Sequence, residues 1–155
     1  MASRDGQTLM FDVPLHPPLV HFALAAAVGA SCFEALGLLL GRPALRQTGS
    51  HLLGLVPLLL AATIAAGLYD ADPVPLTGET GALIVLHRNL AFGTGATYLT
   101  AWFLRRLERR RFAGRGAPRP YTVLYGLLLL TGLLLILVTG YYGGELVFKQ
   151  MVNVG

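Results

Sequence analysis

Histidines stand at the start of the first long apolar stretch of the chain and inside a later one. His16 and His21 lie in LHPPLVHFALAAAVG at positions 15–29, and His87 lies in LHRNLAFG at positions 86–93. Imidazole nitrogens ligate haem iron and other transition metals. Polar groups are costly to place inside an apolar span, so those that occur there tend to serve a function. These histidines are therefore candidates for ligation of a cofactor.

The composition indicates that the elements holding these histidines are membrane helices. The 155 residues are 54% hydrophobic and 13% charged, whereas soluble domains carry roughly 25% charged residues. Apolar stretches at about 17–41, 51–69, 82–104 and 121–143 each approach the ~20 residues with which a helix crosses a bilayer. We predict an all-α fold, a single domain over residues 1–155, in which four transmembrane helices run up, down, up and down. The single cysteine excludes an internal disulfide and a cysteine-ligated cluster.

Arginines set the expected orientation of this bundle. Nine of the twelve basic residues fall in the loops 42–50 and 105–120, namely Arg42, Arg46, Arg105, Arg106, Arg109, Arg110, Arg111, Arg115 and Arg119. Because basic loops stay on the cytoplasmic side, we expect a bacterial inner-membrane protein with both termini in the periplasm. Since stacking aromatics are not interleaved through RRLERRRFAGRGAPRP, we expect this stretch to contact membrane lipids and not nucleic acid.

His21 and His87 fall at similar depths in the first and third apolar stretches. Each begins the pattern H-x3-A-x3-G, which comprises His21, Ala25 and Gly29 in one stretch and His87, Ala91 and Gly95 in the other. Residues four apart share a helix face, and the first and third helices of such a bundle are diagonal partners. We therefore predict that the two imidazoles ligate one b-type haem above small side chains, with Arg88 pairing a propionate.

The same pattern has two other interpretations. Small residues at four-residue spacing pack membrane helices closely without any cofactor, and the histidines could simply hydrogen-bond across helices. Ligation of another metal or of a pigment is the second alternative at the same residues.

Further polar residues are expected near this end of the bundle. His16 precedes two prolines, so we expect it outside the regular helix in a capping or supporting role. A metal or small-molecule site formed by His16, His87 and carboxylates such as Asp70 is an alternative. Glu145 follows glycines at the end of the fourth stretch, where it could orient one imidazole through its second nitrogen.

At the opposite end, Glu34 lies inside the first stretch and His51 opens the second. A carboxylate within a membrane is usually paired, so we expect Glu34 to contact His51 or Arg46. Two interpretations stay open for this pair: an ion pair that joins two helices, or a group that relays protons or hydrogen-bonds a quinone.

Four motifs together resemble a known family. They are HPPLVHFALA at 16–25, GLYDADP at 67–73, LHRNLAFG at 86–93 and GGELVFKQMVNVG at 143–155. They are similar to the bacterial integral-membrane family called domain of unknown function 2231, and the resemblance covers nearly the whole chain. It implies importance for His16, Pro17, His21, Phe22, Asp70, His87, Asn89, Gly143, Gly144, Glu145, Leu146 and Val147. Ala23 departs from the usual proline, and Gln150 and Met151 stand where the family commonly has histidine and glycine.

The expected function follows from the histidines and from this resemblance. Family members are similar to modules beside c-type cytochrome domains, which implies redox chemistry. We expect a b-type haem protein that transfers electrons near the periplasmic face, with quinol or a periplasmic cytochrome as partner. The alternative is a non-enzymatic accessory subunit of a larger respiratory or photosynthetic complex. No catalytic residue is predicted, so an electron carrier or an accessory subunit is favoured over a catalyst.

Overall fold

The computed structural model of the protein describes residues 15–71, 74–113 and 115–149, and these ranges form four α-helices. Their bounds are α1 His16–Leu39, α2 Pro43–Ala71, α3 Gly78–Arg111 and α4 Arg119–Phe148. No strand occurs among the described residues. The predicted all-α bundle is confirmed.

The helices form a ring in which each packs against its neighbours in the sequence, and α4 returns to α1. The start of α1 lies beside the end of α2, since the amide of His16 is 3.1 Å from Oδ2 of Asp70. The start of α2 likewise meets the end of α3 through Arg46 and Glu108, and Tyr121 at the start of α4 donates to the carbonyl oxygen of Leu104 near the end of α3. Consecutive helices therefore run antiparallel, which is what short connections require. As predicted, α1 and α3 are diagonal partners across the bundle axis.

Three of the described helices, α1, α2 and α4, are long and apolar enough to cross a membrane. The remaining helix, α3, is also long but is less apolar, because it carries His87, Arg88 and Asn89 near one end and a run of arginines at the other. Large apolar side chains stay exposed around the bundle, among them Leu127, Leu130, Leu134 and Leu137 of α4. Such a surface is typical of helices that face lipid.

Small residues on α1 allow the helices to approach closely. Ala23, Ala27 and Ala30 are buried at spacings of three and four, so they form one face of α1. At the interface of α1 and α2, a Cβ added to Gly49 would lie 2.7 Å from the backbone nitrogen of Glu34. The backbones of α1 and α2 are therefore closer there than any side chain would permit.

The helices extend beyond the predicted apolar stretches. α2 begins at Pro43 and not at residue 51, α3 reaches Arg111, and α4 continues through Gly143 to Phe148. Hydropathy marks only the lipid-facing part of a helix, whereas arginine, leucine and glutamate favour helix outside the bilayer as well. Pro43 suits the first turn of α2, because an N–H there has no helical partner to lose.

Candidate functional site

Polar side chains gather at the two ends of the bundle. The histidine end comprises His16, Asp70 and His87, and the arginine end comprises Glu34, Arg46, Arg105 and Glu108. Each set is drawn from at least three helices, so it exists only in the folded chain.

His16 and His87 face each other at the histidine end. Their ring centroids are 6.1 Å apart and the ring planes are almost perpendicular, at 89°. His16 is the first residue of α1, and His87 lies in the first third of α3. The diagonal helices thus bring two imidazoles together, as predicted, but one of the two is a different histidine.

Backbone carbonyl groups hold both rings. Nδ1 of His16 is 2.8 Å from the carbonyl oxygen of Thr63, and Nδ1 of His87 is 3.0 Å from that of Thr139. A carbonyl oxygen only accepts, so each Nδ1 carries the proton and donates it. In the neutral ring, Nε2 then keeps a lone pair, which is the state in which histidine ligates a metal.

Asp70 joins the end of α2 to the start of α1. Its Oδ2 accepts a hydrogen bond from the backbone N–H of His16 at 3.1 Å. The first N–H groups of a helix have no partner within the helix, and a carboxylate there also complements the helix dipole. The contact therefore positions the backbone that carries the His16 ring. His16 lies within the helix, which corrects the expectation that it stands outside.

Two glycines make room for the imidazoles. A Cβ on Gly67 would lie 2.8 Å from Nδ1 of His16, and one on Gly143 would lie 2.9 Å from Cε1 of His87. Gly143 comes one helical turn after Thr139, whose carbonyl holds the same ring. Any larger residue at either position would have to displace an imidazole.

Both rings line a cavity of about 500 Å³ at the histidine end. Its walls are mainly apolar and include Ile64, Ile84 and Leu146, while the small side chain of Ala91 leaves space beneath His87. Among the described residues, Arg88 and Asp70 are the charged ones that line it. This volume and lining are typical of sites for small organic ligands or cofactors.

The structure does not bring His21 to this site. His21 is exposed, and its Nδ1 donates to the carbonyl oxygen of Pro17 in its own helix, at 2.8 Å. Ala25 below it is also exposed, and Gly29 faces Leu52 of α2. The predicted pairing of His21 with His87 is therefore wrong.

The physical reason is a competing stripe on α1. Ala23, Ala27, Ser31 and Glu34 lie on one face at spacings of three and four, and all are buried. Burying this face places the Ser31 hydroxyl beside Tyr98 and the Glu34 carboxylate beside Arg105, where both are hydrogen-bonded. The same rotation of α1 turns His21 outward. In α3, Gly95 packs against Ile64 of α2, so the matching grooves expected between α1 and α3 do not face each other.

Glu145 does not contact an imidazole. Its Oε1 accepts a hydrogen bond from Nζ of Lys149 at 2.8 Å, one turn further along the chain. α4 stays helical through its glycines, which keeps Glu145 on the helix and does not turn it across the end of the bundle. This expectation is corrected.

Four charged side chains form a neutral network at the arginine end. Glu34 has no exposed side-chain surface and accepts from Arg105 at 2.9 Å and from Arg46 at 3.5 Å. Glu108 accepts from Arg46 at 2.8 Å and from Arg105 at 2.9 Å. Two carboxylates and two guanidinium groups therefore alternate in a closed ring, which joins α1, α2 and α3.

This network decides between the two partners expected for Glu34. Arg46 is a partner, as predicted, whereas His51 is exposed and makes no hydrogen bond to Glu34. Glu108 lies beyond the apolar stretch 82–104. Burial alone would raise the pKa of its carboxyl, but the hydrogen bonds and charges of Arg46 and Arg105 outweigh burial and hold the pKa below its usual value.

Hydroxyl groups continue the polar interior between the two ends. Oγ1 of Thr94 is 3.1 Å from Oγ1 of Thr139, and the hydroxyl of Tyr98 is 2.9 Å from that of Ser31. The Tyr125 hydroxyl is buried without a hydrogen-bond partner among the described residues. These groups mark the inward faces of α1, α3 and α4.

Several of these residues were not predicted as parts of a site. Gly67, Gly143 and the carbonyls of Thr63 and Thr139 act through shape and backbone, which leave little trace in residue type. Arg105 and Glu108 carry a usable signal, since charges three apart share a helix face. That spacing was obscured by the surrounding arginines.

No group of three histidine, cysteine or acidic side chains placed to hold a metal ion occurs within residues 15–71, 74–113 and 115–149. The histidine end therefore offers two protein ligands, and a metal bound there needs further donors from elsewhere.

Comparison with models of protein families matches residues 12–155 to a family described as "Predicted membrane protein (DUF2231)". The family resemblance seen in the motifs is thereby confirmed. No curated protein and no solved structure matches the chain.

Proposed function

Because the chain belongs to the DUF2231 family of predicted membrane proteins, whose description assigns no chemistry, we propose its function from the histidine end itself. It is a membrane electron-transfer protein that binds one b-type haem between His16 and His87. The observation that carries the proposal is the pair of facing imidazoles, each held by a carbonyl at Nδ1. With the proton on Nδ1, the Nε2 of each neutral ring would be the nitrogen left to hold a metal.

The ring separation fits two ligands on one iron. Imidazoles on opposite sides of a metal, at roughly 2 Å per bond, place their ring centres about 6 Å apart. The observed centroid distance is 6.1 Å. His16 and His87 come from diagonal helices, so a planar group between them would lie in the interior of the bundle.

The cavity fits a macrocycle better than a bare ion. A metal ion alone needs three or more protein ligands, and the described residues offer two histidines without a third ligand placed beside them. A porphyrin brings four nitrogen donors and needs mainly apolar walls, which this cavity has. Arg88 lines the cavity and would pair a propionate.

Haem supplies reversible one-electron chemistry when bound, and the chain controls its surroundings. The carbonyls of Thr63 and Thr139 fix the ring orientation and strengthen both ligands as donors. The apolar walls from α2, α3 and α4 restrict water. The position of the cavity at one end of the bundle suits exchange with a partner at the membrane surface, and we propose quinol or a periplasmic cytochrome.

We propose the orientation expected from the arginines, with the arginine end in the cytoplasm and the histidine end at the periplasmic face of a bacterial inner membrane. The support is the distribution of nine of the twelve basic residues toward one side. In this orientation the haem lies on the side where c-type cytochromes reside.

Haem content and visible spectra of the purified protein test the proposal. We expect wild type, expressed with a haem supply, to contain about one b-type haem per chain by pyridine extraction, with a reduced-minus-oxidised difference spectrum. His16→Ala and His87→Ala should each lower haem content at least severalfold, because each removes one of the two imidazoles that would hold the iron.

His21→Ala is the matched control, since it removes an exposed imidazole from the same helix. It should keep the wild-type haem content. A wild-type protein that takes up no haem, or a His21→Ala variant that alone loses it, would refute the proposal.

A further inference from the structure

A second cavity, of about 500 Å³, lies between α2 and α3 at the arginine end. The residues that line it include Ser50, His51, Trp102, Arg106, Arg109 and Arg110. Arg105 and Arg109 are four positions apart, as are Arg106 and Arg110, so each pair lies on one face of α3.

The charge of this cavity is positive and uncompensated. Arg105, which also lines it, is neutralised by the ring with Glu34 and Glu108. Arg106, Arg109 and Arg110 form no ion pair with any described residue, and no carboxylate of the described residues lines the cavity.

The remaining polar groups are mostly hydrogen-bond donors. Nη1 of Arg109 is 3.3 Å from the hydroxyl of Ser50, and the guanidinium carbon of Arg106 lies 5.6 Å from the centre of the Trp102 ring. The indole N–H of Trp102 has no acceptor among the described residues. A Cβ on Gly54 would lie 3.9 Å from the indole nitrogen, so α2 leaves space around this donor.

The surface next to the cavity, toward the middle of the bundle, is apolar. Leu55 and Leu58 lie one turn further into α2 from His51 and Gly54, and Leu99 lies one turn before Trp102 and Phe103 in α3. All three leucines are at least half exposed. A charged group in the cavity could therefore continue directly into a hydrocarbon chain lying on these side chains.

We infer that this cavity binds a phosphate group, and that the phosphate belongs to the headgroup of an anionic phospholipid. Guanidinium groups bind phosphate oxygens in bidentate geometry, and the Trp102 N–H adds a donor that a mere basic surface lacks. The adjoining leucines favour a lipid over free phosphate, because only a lipid would cover them. This inference is independent of haem binding at the histidine end.

Native mass spectrometry of the delipidated full-length protein, with equal amounts of phosphatidylglycerol and phosphatidylcholine added, tests the inference. Wild type should retain phosphatidylglycerol in clear preference. The double variant Arg109→Gln/Arg110→Gln should bind it about tenfold more weakly or worse, since each arginine near the headgroup contributes to binding. Both residues are exposed and outside the network, and the thermal unfolding midpoint of the variant checks that it folds.

Arg111→Gln/Arg115→Gln is the matched control, because it removes the same charge from exposed residues that do not line the cavity. It should keep the preference within about twofold. Equal binding of the two lipids by wild type, or an equal loss in both double variants, would overturn the site in favour of diffuse charge.

A third measurement separates the two sources of phosphate. Inorganic phosphate is added at millimolar concentration to the delipidated protein, and the unfolding midpoint is followed. If phosphatidylglycerol binds and inorganic phosphate neither displaces it nor raises the midpoint, the lipid is the ligand. If inorganic phosphate stabilises wild type but not Arg109→Gln/Arg110→Gln, and no lipid is retained, the lipid assignment is overturned.

Discussion

His16 and His87 take their orientation from backbone carbonyls and not from other side chains. The carbonyls of Thr63 and Thr139 remain whatever residue occupies those positions, so the ring orientation depends on helix placement. Space for the rings depends instead on Gly67 and Gly143. After the histidines, the proposed haem site therefore depends most on these two glycines.

We predict that Gly143→Ala lowers haem content severalfold while Gly140→Ala does not. The added methyl of Gly143→Ala would meet the His87 ring, whereas nothing lies within 4 Å of a Cβ on Gly140. Haem per chain, measured by pyridine extraction of the two purified variants, checks the prediction. Equal haem content in both would show that the His87 ring can move without losing its ligand role.

Some of these residues were predictable from the sequence and others were not. The inward position of His87 followed from an imidazole in an apolar stretch. His16 was misplaced because its two prolines suggested an irregular segment, although prolines at the start of α1 are compatible with helix. His21 was misassigned because a stripe of small residues does not reveal which face of α1 turns inward.

The interface of α1 and α2 contains glycines that approach the backbone of the other helix. A Cβ on Gly37 would lie 2.7 Å from the backbone nitrogen of Arg46, and one on Gly49 would lie 2.7 Å from that of Glu34. Close backbone approach of this kind is common between membrane helices. It also brings Arg46 of α2 to Glu34 of α1, so the helix interface and the ion-pair ring depend on each other.

We expect Gly49→Ala to lower the free energy of unfolding by about 1–3 kcal/mol, the cost of overpacking a tight interface. Gly126→Ala in α4 is its control, because nothing lies within 4 Å of a Cβ there. That variant should be neutral or stabilising by up to about 1 kcal/mol, since alanine favours helix over glycine. Reversible unfolding in detergent micelles measures both, and equal stabilities would mean that α1 and α2 separate easily.

The helices themselves were well predicted, because long apolar stretches allow few alternatives in a bilayer. Their order around the bundle also followed from short connections. The ends of the helices were not predicted, because a hydropathy pattern does not distinguish the charged helical turns of α2 and α3 from loops. The extension of α3 to Arg111 is what places Arg105 and Glu108 within reach of Glu34 and Arg46.

The whole molecule has polar groups at two ends and a lipid-facing surface between them. The ring of Glu34, Arg46, Arg105 and Glu108 joins three helices at one end, and two imidazoles from diagonal helices meet at the other. The bundle is therefore asymmetric along its axis. The direction of this asymmetry in the membrane determines which compartment can exchange electrons with the proposed haem.

The proposed orientation predicts which loops react with an impermeant thiol reagent. In a Cys32→Ser background, Thr77→Cys at the histidine end should be labelled in intact cells, whereas Gly116→Cys at the other end should be labelled only after lysis. Both positions are exposed, and neither change removes an arginine. Labelling of Gly116→Cys in intact cells would reverse the orientation and place the histidine end in the cytoplasm.

If one iron binds His16 and His87 together, as we propose, the spin state of the ferric protein will show it. Two axial imidazoles make ferric haem low-spin, whereas a single one leaves it largely high-spin. Low-temperature electron paramagnetic resonance should show a low-spin signal for wild type and His21→Ala, with a high-spin signal or loss of haem in His16→Ala and His87→Ala. A high-spin wild type, or a low-spin signal that persists in His16→Ala, would contradict the claim.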